Sequence, residues 1–536
     1  MDAQARRSRF TGIAVAAAAG LSRILGFVRD VMIAAVLGAG PAAEALAIAL
    51  RLPNLARRMV SEGAVNAGFV PRHAQIRAAH GSDAAAGFAG RALTTVGLTV
   101  LVLCALATLA AGMLTGLLAG GFAPDDPARD LAVTATRLAL PAIAAMTLAA
   151  LIGATLAANG RFLAVAWSPL LINLAMIALL AAPLAGMTLA PRTMALALAA
   201  TMSFGALAQL ALLVLALRRL PGAVRLRRPA FDADQRRLAR LALPALVAAA
   251  GSQLILLAAM PAASTIPGAL AYLHYAERLL LLPLGLIAAT AGVVLLPRLA
   301  HQAADGTRSL FRALARRARF DALLLALPAA IGLILLAQPI TTALFERGAF
   351  DATDARATAG LLAGLACGLP FAVMTKITEH VLFAQQRMRA AAVIALAAFA
   401  LALPACLLGA RIAGPVGIGL GVSIALAGQW LALHLLVRND PRADTRPSRR
   451  RHARLRRHAL MRLFAANAVF ALIVYGAQLL FALAGLSLAS LPVLILFCLM
   501  AIIVYALIAM IAGIARRHDP LRSLHRRLRW RRAASG

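Results

Sequence analysis

Lysine is almost absent from this sequence of 536 residues, because Lys376 is the only one among 54 basic residues. Acidic residues are also scarce, at 20, which leaves a formal net charge of +34. The chain has no glycine-rich loop ending in lysine that would cradle a nucleotide phosphate, no histidines at metal-ligand spacing and no nucleophile elbow. These absences argue against an enzyme and against ATP as an energy source, and they predict no cofactor.

Cysteine is rare as well, and its four copies stand singly in apolar runs. No spacing between them fits a metal site or a disulfide framework. The expected role is that of small buried apolar side chains. The four are Cys104, Cys367, Cys406 and Cys498.

Apolar residues are what the chain has in excess, at 62% with a mean hydropathy of +0.84. A soluble domain has about 45 to 50% apolar residues, so this composition predicts a polytopic membrane protein. The positive charge could indicate nucleic-acid binding, but that would need a basic soluble domain, and none is present. The arginines instead cluster in alternate loops, as the positive-inside rule predicts for cytoplasmic loops.

About fourteen apolar segments approach or exceed the roughly 20 residues that a membrane-spanning helix needs. The first begins after three arginines, as a signal peptide would, but its apolar character resumes through Val31–Leu37, which favours a spanning helix. The segment from Ser61 to Asp83 reads as a cytoplasmic loop. We therefore predict an all-α polytopic protein with both termini in the cytoplasm.

The predicted spans form two lobes of six helices around a central cavity, followed by two further helices. A weak internal echo supports repeated halves, which are common in transporters: Leu140-Pro141 and Leu369-Pro370 each open a similar helix. The predicted parts are an N-terminal lobe at 1–220, a C-terminal lobe at 221–440, a basic cytoplasmic linker at 441–462, the last two spans at 463–515 and a basic cytoplasmic tail at 516–536.

Charged residues recur inside the apolar segments. A charge at mid-bilayer depth costs at least about 2.5 to 3.5 kcal/mol, so such residues tend to face a wet cavity or a partner. In the first helix, Arg23 and Asp30 are seven residues apart and share a face, whereas Arg29 lies on a different face of the helix. In the second helix, charged residues of both signs recur every seven residues and form a stripe on one face, which suits a water-filled lumen. They are Glu44, Arg51 and Arg58.

Two later segments add buried charge. Glu277 and Arg278 enter an apolar helix, and Lys376 and Glu379 are three residues apart, so they could pair on one helix face. Arginine's planar fork suits phosphate oxygens, which points to an anionic ligand in the lumen. Two alternatives stay open: internal ion pairs that only lock helices together, and arginines that anchor the chain at the cytoplasmic surface, such as Arg23 or the pair Arg57-Arg58.

Several ordered motifs resemble one family. Ser22-Arg23-Ile24-Leu25-Gly26-Phe27-Val28-Arg29-Asp30 is followed by Leu52-Pro53-Asn54-Leu55, then by Glu62-Gly63-Ala64 and Phe69-Val70-Pro71. Later, Tyr275-Ala276-Glu277-Arg278 and Leu344-Phe345-Glu346-Arg347-Gly348 extend the match. The chain resembles the bacterial lipid II flippases, the MurJ (MviN) family of the MOP exporter superfamily.

The resemblance implies a transporter of the bacterial inner membrane. Its substrate would be the undecaprenyl-diphosphate-linked disaccharide-pentapeptide, flipped from the cytoplasmic to the periplasmic leaflet by alternating access. The last two helices would hold the prenyl tail, and membrane potential or an ion gradient would drive transport. Membrane lipids and cell-wall synthesis proteins are the implied partners. The family's functional arginines fall on Arg23, Arg29, Arg57 and Arg278, and its acidic position falls on Glu44.

Residues and resemblance together predict a substrate site of six cations and three supporting acids. The cations are Arg23, Arg29, Arg51, Arg57, Arg278 and Lys376, and the acids are Asp30, Glu44 and Glu277. The sequence departs from the family after Lys376, where His380, Phe383 and Arg387 stand in place of residues linked to sodium binding, so no coupling ion is assigned. The alternatives within the superfamily are a polysaccharide-repeat flippase and a cation-coupled drug exporter. A non-transporting scaffold is disfavoured because it does not require buried charge.

Overall fold

The computed structural model of the chain describes residues 2–123, 126–187, 189–220, 224, 226–229, 233–304, 308–385, 387–438 and 449–514. The predicted tail at 516–536 lies outside these residues, as does 441–448 of the predicted linker. Twenty α-helices and one π-helix account for most of the described chain, and none of it forms a named strand. The all-α prediction is confirmed.

Proline and glycine interrupt the helices of the N-terminal half, so these helices are short or bent in several places. Proline stands at the first position of several helices, where its missing N–H costs nothing. The helices are α1 Asp2–Leu37, α2 Pro41–Arg58, the π-helix Met59–Phe69, α3 Val70–Leu109, α4 Ala111–Leu118, α5 Pro127–Ala139, α6 Pro141–Ala158, α7 Phe162–Trp167, α8 Leu170–Leu184 and α9 Pro191–Arg218.

The C-terminal half is built of helices in the same way, and a final pair of helices follows it. Asp351 caps α16 reciprocally with Asp354, which fixes where that helix starts. The helices are α10 Ala233–Ala249, α11 Gly251–Ala258, α12 Met260–Ala263, α13 Ala269–Ala304, α14 Arg308–Leu335, α15 Ala337–Phe345, α16 Ala352–Ala366, α17 Leu369–Ala384, α18 Met388–Arg438, α19 Arg449–Leu483 and α20 Leu491–Ile511.

The loop expected from Ser61 to Asp83 is wrong, because this stretch is helical. The π-helix Met59–Phe69 carries α2 directly into α3, and the break comes later, at Gly81, whose φ of 83° only glycine adopts readily. The stretch is rich in alanine, the strongest helix former. Its charged residues set its place relative to a membrane but do not prevent a helix.

By length and composition, nine of the described helices could cross a membrane, and the number is eleven if each of two bent pairs counts as one crossing. The longest, α18, has 51 residues and is kinked at Ala413 and Gly414. At about 1.5 Å per residue it is roughly two and a half times as long as the hydrocarbon core is thick, which fits two crossings. The structure is therefore a polytopic helical one, and the count of fourteen spans stays a prediction.

Two groups of helices meet along one seam. We call residues 12–220 the N-half and residues 224–438 the C-half. Within the N-half, α2 packs on α5 and α6 on α9; within the C-half, α16 and α17 pack on α18. Across the seam, α13 contacts α1 and α2, and the π-helix packs along α10. The charged side chains described below lie on these seam helices.

Candidate functional site

Asp30 is the centre of a charged cluster at the seam. Its Oδ1 accepts hydrogen bonds from Nε and Nη2 of Arg29, at 3.0 and 2.7 Å. Its Oδ2 lies 3.0 Å from Nε of Arg278, on the other half of the molecule. The Asp30 side chain is only 2% exposed, and Nε2 of His274 lies 4.0 Å from it. One carboxylate thus joins α1 of the N-half to α13 of the C-half.

Arg29 is held in place from a second side, by Asn173 on α8. Nη1 of Arg29 donates to Oδ1 of Asn173 at 3.0 Å, and Nδ2 of Asn173 donates to the Ser22 carbonyl at 3.1 Å. Gly26 faces the same amide, with room for ordinary contact. Sequence reasoning did not assign this role to Asn173. The signal in the sequence was a single polar residue in an otherwise apolar helix, and in the structure its side chain is 9% exposed.

A second ion pair also crosses the seam. Nη1 of Arg51, on α2, donates to Oε2 of Glu277, on α13. The two side chains are 11% and 6% exposed. Because Glu277 and Arg278 are adjacent, neighbouring residues of α13 pair with two different helices of the N-half. A single helix, α13, therefore binds both α1 and α2 through two adjacent residues.

A polar cleft lies beside these pairs, with a cavity volume of about 10 Å³, which is room for about one water molecule. Ligand pockets typically measure roughly 300 to 1,000 Å³, so the lumen expected between the lobes is almost closed in this conformation. Around it, the four arginines Arg29, Arg51, Arg58 and Arg278 face two carboxylates, an excess of two positive charges. The lining residues are Leu50, Arg51, Asn54, Arg58, Gln253, His274, Glu277 and Arg278.

The remaining predicted site residues lie elsewhere. Glu44 is buried, and its Oε1 accepts from the backbone N–H of Leu270 at 3.3 Å, so it caps the start of α13 and does not touch an arginine there. Nζ of Lys376 lies 3.4 Å from Oε2 of Glu379 and donates to the Ala249 carbonyl at 3.1 Å, all within the C-half. Arg23 and Arg57 are exposed. Their predicted contact with substrate stays a prediction.

The seam is closed at the end where α1 meets α2, which we call the Gly38 end. Tyr275 Oη donates to the Gly38 carbonyl at 2.8 Å, and the Ala349 N–H donates to the Ala35 carbonyl at 2.8 Å. Gly38 and Gly348 both have φ near +60°, and a Cβ on either would lie under 2.5 Å from a backbone oxygen of the opposite half. Only glycine allows backbones to approach this closely here.

The seam is also closed at the other end of α2, which we call the Arg58 end. A Cβ at Gly63 of the π-helix would lie 2.8 Å from the Ala245 carbonyl oxygen of α10, and one at Gly68 would lie 2.9 Å from Leu238. The cleft is therefore enclosed between two packed ends. Arg77 donates to the Ala158 carbonyl at 2.6 Å at this end, and Arg227 packs against Gly87, so basic residues gather here.

No group of three or more histidine, cysteine or acidic side chains within the described residues could hold a metal ion. The chemistry that the cluster offers is electrostatic. Its arginine N–H groups point inward at carboxylates, and the same donors fit phosphate oxygens.

Sequence comparison gives a family match along most of the chain. The family model described as "Lipid II flippase MurJ" matches residues 33–496. A probable lipid II flippase MurJ of Rhizobium meliloti (strain 1021) is 34% identical over 370 residues, which cover 69% of each chain. A second one, from Bdellovibrio bacteriovorus, is 29% identical over 497 residues, which cover 92% of each chain.

Structural comparison gives the same fold. A solved lipid II flippase MurJ in an inward closed conformation matches with a TM-score of 0.72 at 22% identity, over 93% of this chain and 98% of that one. An inward-facing multidrug transporter of the MATE family, in the MOP superfamily, matches with a TM-score of 0.63 at 15% identity, over 80% of this chain and 97% of that one. At these identities the likeness speaks for the fold alone.

Proposed function

Because the chain belongs to the lipid II flippase MurJ family, we propose that it flips lipid II, the undecaprenyl-diphosphate-linked disaccharide-pentapeptide, across the bacterial inner membrane. The chain is a transporter and not an enzyme. The observation that carries the proposal is the excess of two positive charges at the seam cluster. A diphosphate diester has two ionisable oxygens, so its charge matches this excess.

The cluster supports a mechanism of ligand exchange. In the closed conformation, Asp30 and Glu277 occupy the donors of Arg278 and Arg51. When the halves part at one end, these arginines lose a carboxylate and gain access to phosphate oxygens, which are acceptors of the same kind. The carboxylates would thus offset part of the arginine charge in the empty cleft, and the substrate would replace them in turn.

Alternating access follows from the two closed ends of the seam. The cleft is too small for a disaccharide-pentapeptide, so the halves would part at the Arg58 end to load substrate and at the Gly38 end to release it. Basic residues gather at the Arg58 end, and the positive-inside rule supports a cytoplasmic location for that end. Both termini would then be cytoplasmic.

The prenyl tail would stay in lipid, along the helices after the C-half. Helix α19 packs on α14, and α20 packs on α15. Polar contacts hold this pair in place: Gln478 donates to the Leu335 carbonyl at 3.0 Å and Tyr505 to the Leu324 carbonyl at 2.8 Å. Many of their leucine and isoleucine side chains remain exposed. The driving force would be membrane potential or an ion gradient.

The first test is rescue of a flippase-depleted bacterium. We expect Arg29→Ala and Arg278→Ala to abolish rescue, and Arg23→Ala as well if its exposed side chain meets the substrate on entry. Removing one partner of a buried charged contact costs about 2 to 5 kcal/mol, which corresponds to a loss of binding of roughly 30-fold to 5,000-fold. Arg356→Ala is the matched control, because Arg356 is exposed and its Nε donates to the Ala352 carbonyl of its own helix.

Binding of purified protein to lipid II, measured by native mass spectrometry, gives the second readout. The wild type should bind lipid II in preference to a lipid-linked polysaccharide repeat unit and to cationic drugs. Preferential binding of the polysaccharide lipid would favour the polysaccharide-repeat flippase, and drug binding would favour the exporter. Full rescue by all three alanine variants would remove the site assignment.

A further inference from the structure

The cleft presents two amide side chains alongside its charges. Gln253, on α11, and Asn54, on α2, both line it. Gln253 is only 7% exposed, and its side chain lines this small space. The two amides come from opposite halves of the molecule, as the arginines do.

Neither amide makes a side-chain hydrogen bond to any residue that the structure describes. Asn173 provides the contrast, because it uses both ends of its amide, accepting from Arg29 and donating to the Ser22 carbonyl. Neither amide is among the buried side-chain groups that lack a partner, so both stay open to water in the cleft, and a ligand that displaces this water can take over its hydrogen bonds. Gln253 and Asn54 therefore have free donors and acceptors in the place where a substrate would lie.

The chemistry of the cleft is thus of two kinds. Arg51, Arg58 and Arg278 offer cationic donors for phosphate oxygens. The amides offer a neutral donor and a neutral acceptor each, the pattern that hydroxyl and acetamido groups of a sugar require. A ligand with a diphosphate bonded directly to an acetamido sugar presents both patterns side by side.

We propose that Gln253 and Asn54 form a sugar subsite next to the diphosphate site, binding hydroxyl or acetamido groups of the first sugar. This inference rests on the proposed function. It assigns the amides a task that the arginines cannot perform, namely to favour the glycosylated lipid over bare undecaprenyl diphosphate, which shares the diphosphate and the tail and carries one more ionisable oxygen.

The test is competition between two probes, lipid II and undecaprenyl diphosphate, for the full-length protein in native mass spectrometry. The wild type should prefer lipid II. Gln253→Leu and Asn54→Leu should each lower this preference by about fivefold, the value of one neutral hydrogen bond, while binding of undecaprenyl diphosphate is unchanged. Gln209→Leu is the control, because Gln209 donates to Ser168 inside the N-half, away from the cleft.

The outcomes separate the two proposals. If the wild type binds neither probe, the proposed function fails. If it binds both and the Gln253→Leu and Asn54→Leu variants keep the wild-type preference, or lose affinity for both probes equally, the sugar subsite is refuted while the flippase proposal stands. Gln253→Met, which retains length and flexibility, replaces Gln253→Leu if the latter lowers the melting temperature.

Discussion

Two buried pairs of charges look alike in the sequence and differ in the structure. The Asp30–Arg278 pair joins α1 to α13 across the seam, with 3.0 Å between Oδ2 and Nε. The Lys376–Glu379 pair lies on α17 alone, at 3.4 Å, and its lysine also donates to the Ala249 carbonyl of the same half. Both pairs lie buried among apolar helices, where a charged side chain costs free energy.

The difference concerns what each pair can control. A pair across the seam must break when the halves part, so its free energy enters the equilibrium between closed and open states. A pair within one half moves with that half and contributes the same in every state. The burial of a charge by itself therefore shows only that the charge costs free energy. Whether that free energy can be linked to transport depends on where the partner of the charge lies.

The largest effect should come from Asp30→Asn. The change leaves Arg29 and Arg278 without their shared carboxylate, and removing one partner of a buried pair costs about 3 to 5 kcal/mol. We expect a clearly lower melting temperature in detergent and loss of rescue in a flippase-depleted cell. Asp321→Asn is the control, because its pair with Arg317 is half exposed and such pairs are worth at most about 1 kcal/mol.

Wild-type melting and full rescue by Asp30→Asn would mean that the pair across the seam matters no more than a surface pair. Loss of rescue with unchanged melting would mean that the carboxylate acts on the transport cycle alone.

A smaller effect is expected from Glu379→Gln. Lys376 keeps its bond to the Ala249 carbonyl, so the cost is that of one unsatisfied contact, about 1 to 3 kcal/mol. Protein that has folded should still flip lipid II. The double variant Lys376→Met/Glu379→Met should recover most of the stability, because apolar replacement of a whole buried pair is often neutral. The measurements are melting temperature and rescue for the single and double variants.

Lys376→Met decides the role of the lysine. If it abolishes rescue while the melting temperature holds, Lys376 meets the substrate in another conformation, as the sequence predicts. If stability falls and rescue persists, the lysine only braces the C-half.

Much of the architecture could be predicted from the sequence, because apolar runs of spanning length and basic connections both follow from the cost of polar groups in lipid. The arginine-rich seam was also predictable in outline. Arg29, Arg51, Arg278, Asp30 and Glu277 were all singled out from the sequence, and the structure brings these five together.

The pairing itself could not be predicted. Helical spacing placed Arg23 with Asp30, yet the partners are the adjacent Arg29 and the distant Arg278. A helical wheel gives only the direction of the Cα–Cβ bond, whereas a long arginine side chain can fold back to a neighbouring residue or reach across to another helix. Asn173 was missed for the same reason, since its partner lies 144 residues away. Contacts at such separations are decided by packing between helices.

The smallest effect, and the finest test of the seam, should come from Tyr275→Phe. The hydroxyl donates to the Gly38 carbonyl across the seam, while the ring packs on Phe345 and Phe350 within the C-half and needs no hydroxyl to do so. Losing one neutral hydrogen bond, about 1 kcal/mol, should raise the fraction open at the Gly38 end about fivefold. Tyr272→Phe removes an equivalent hydroxyl three residues earlier, whose acceptor, Asp354, lies within the C-half.

The opening can be measured with a cysteine at Ala43, which is 3% exposed and lies beside Tyr275 at the seam. In a chain without its four native cysteines, labelling of Ala43→Cys by a membrane-impermeant maleimide should rise about fivefold with Tyr275→Phe and stay constant with Tyr272→Phe. Equal labelling in both would mean that the Gly38 end is held by packing of its glycines alone. A rise in the first only would show that contacts across the seam, and not contacts within one half, set how often the cleft opens.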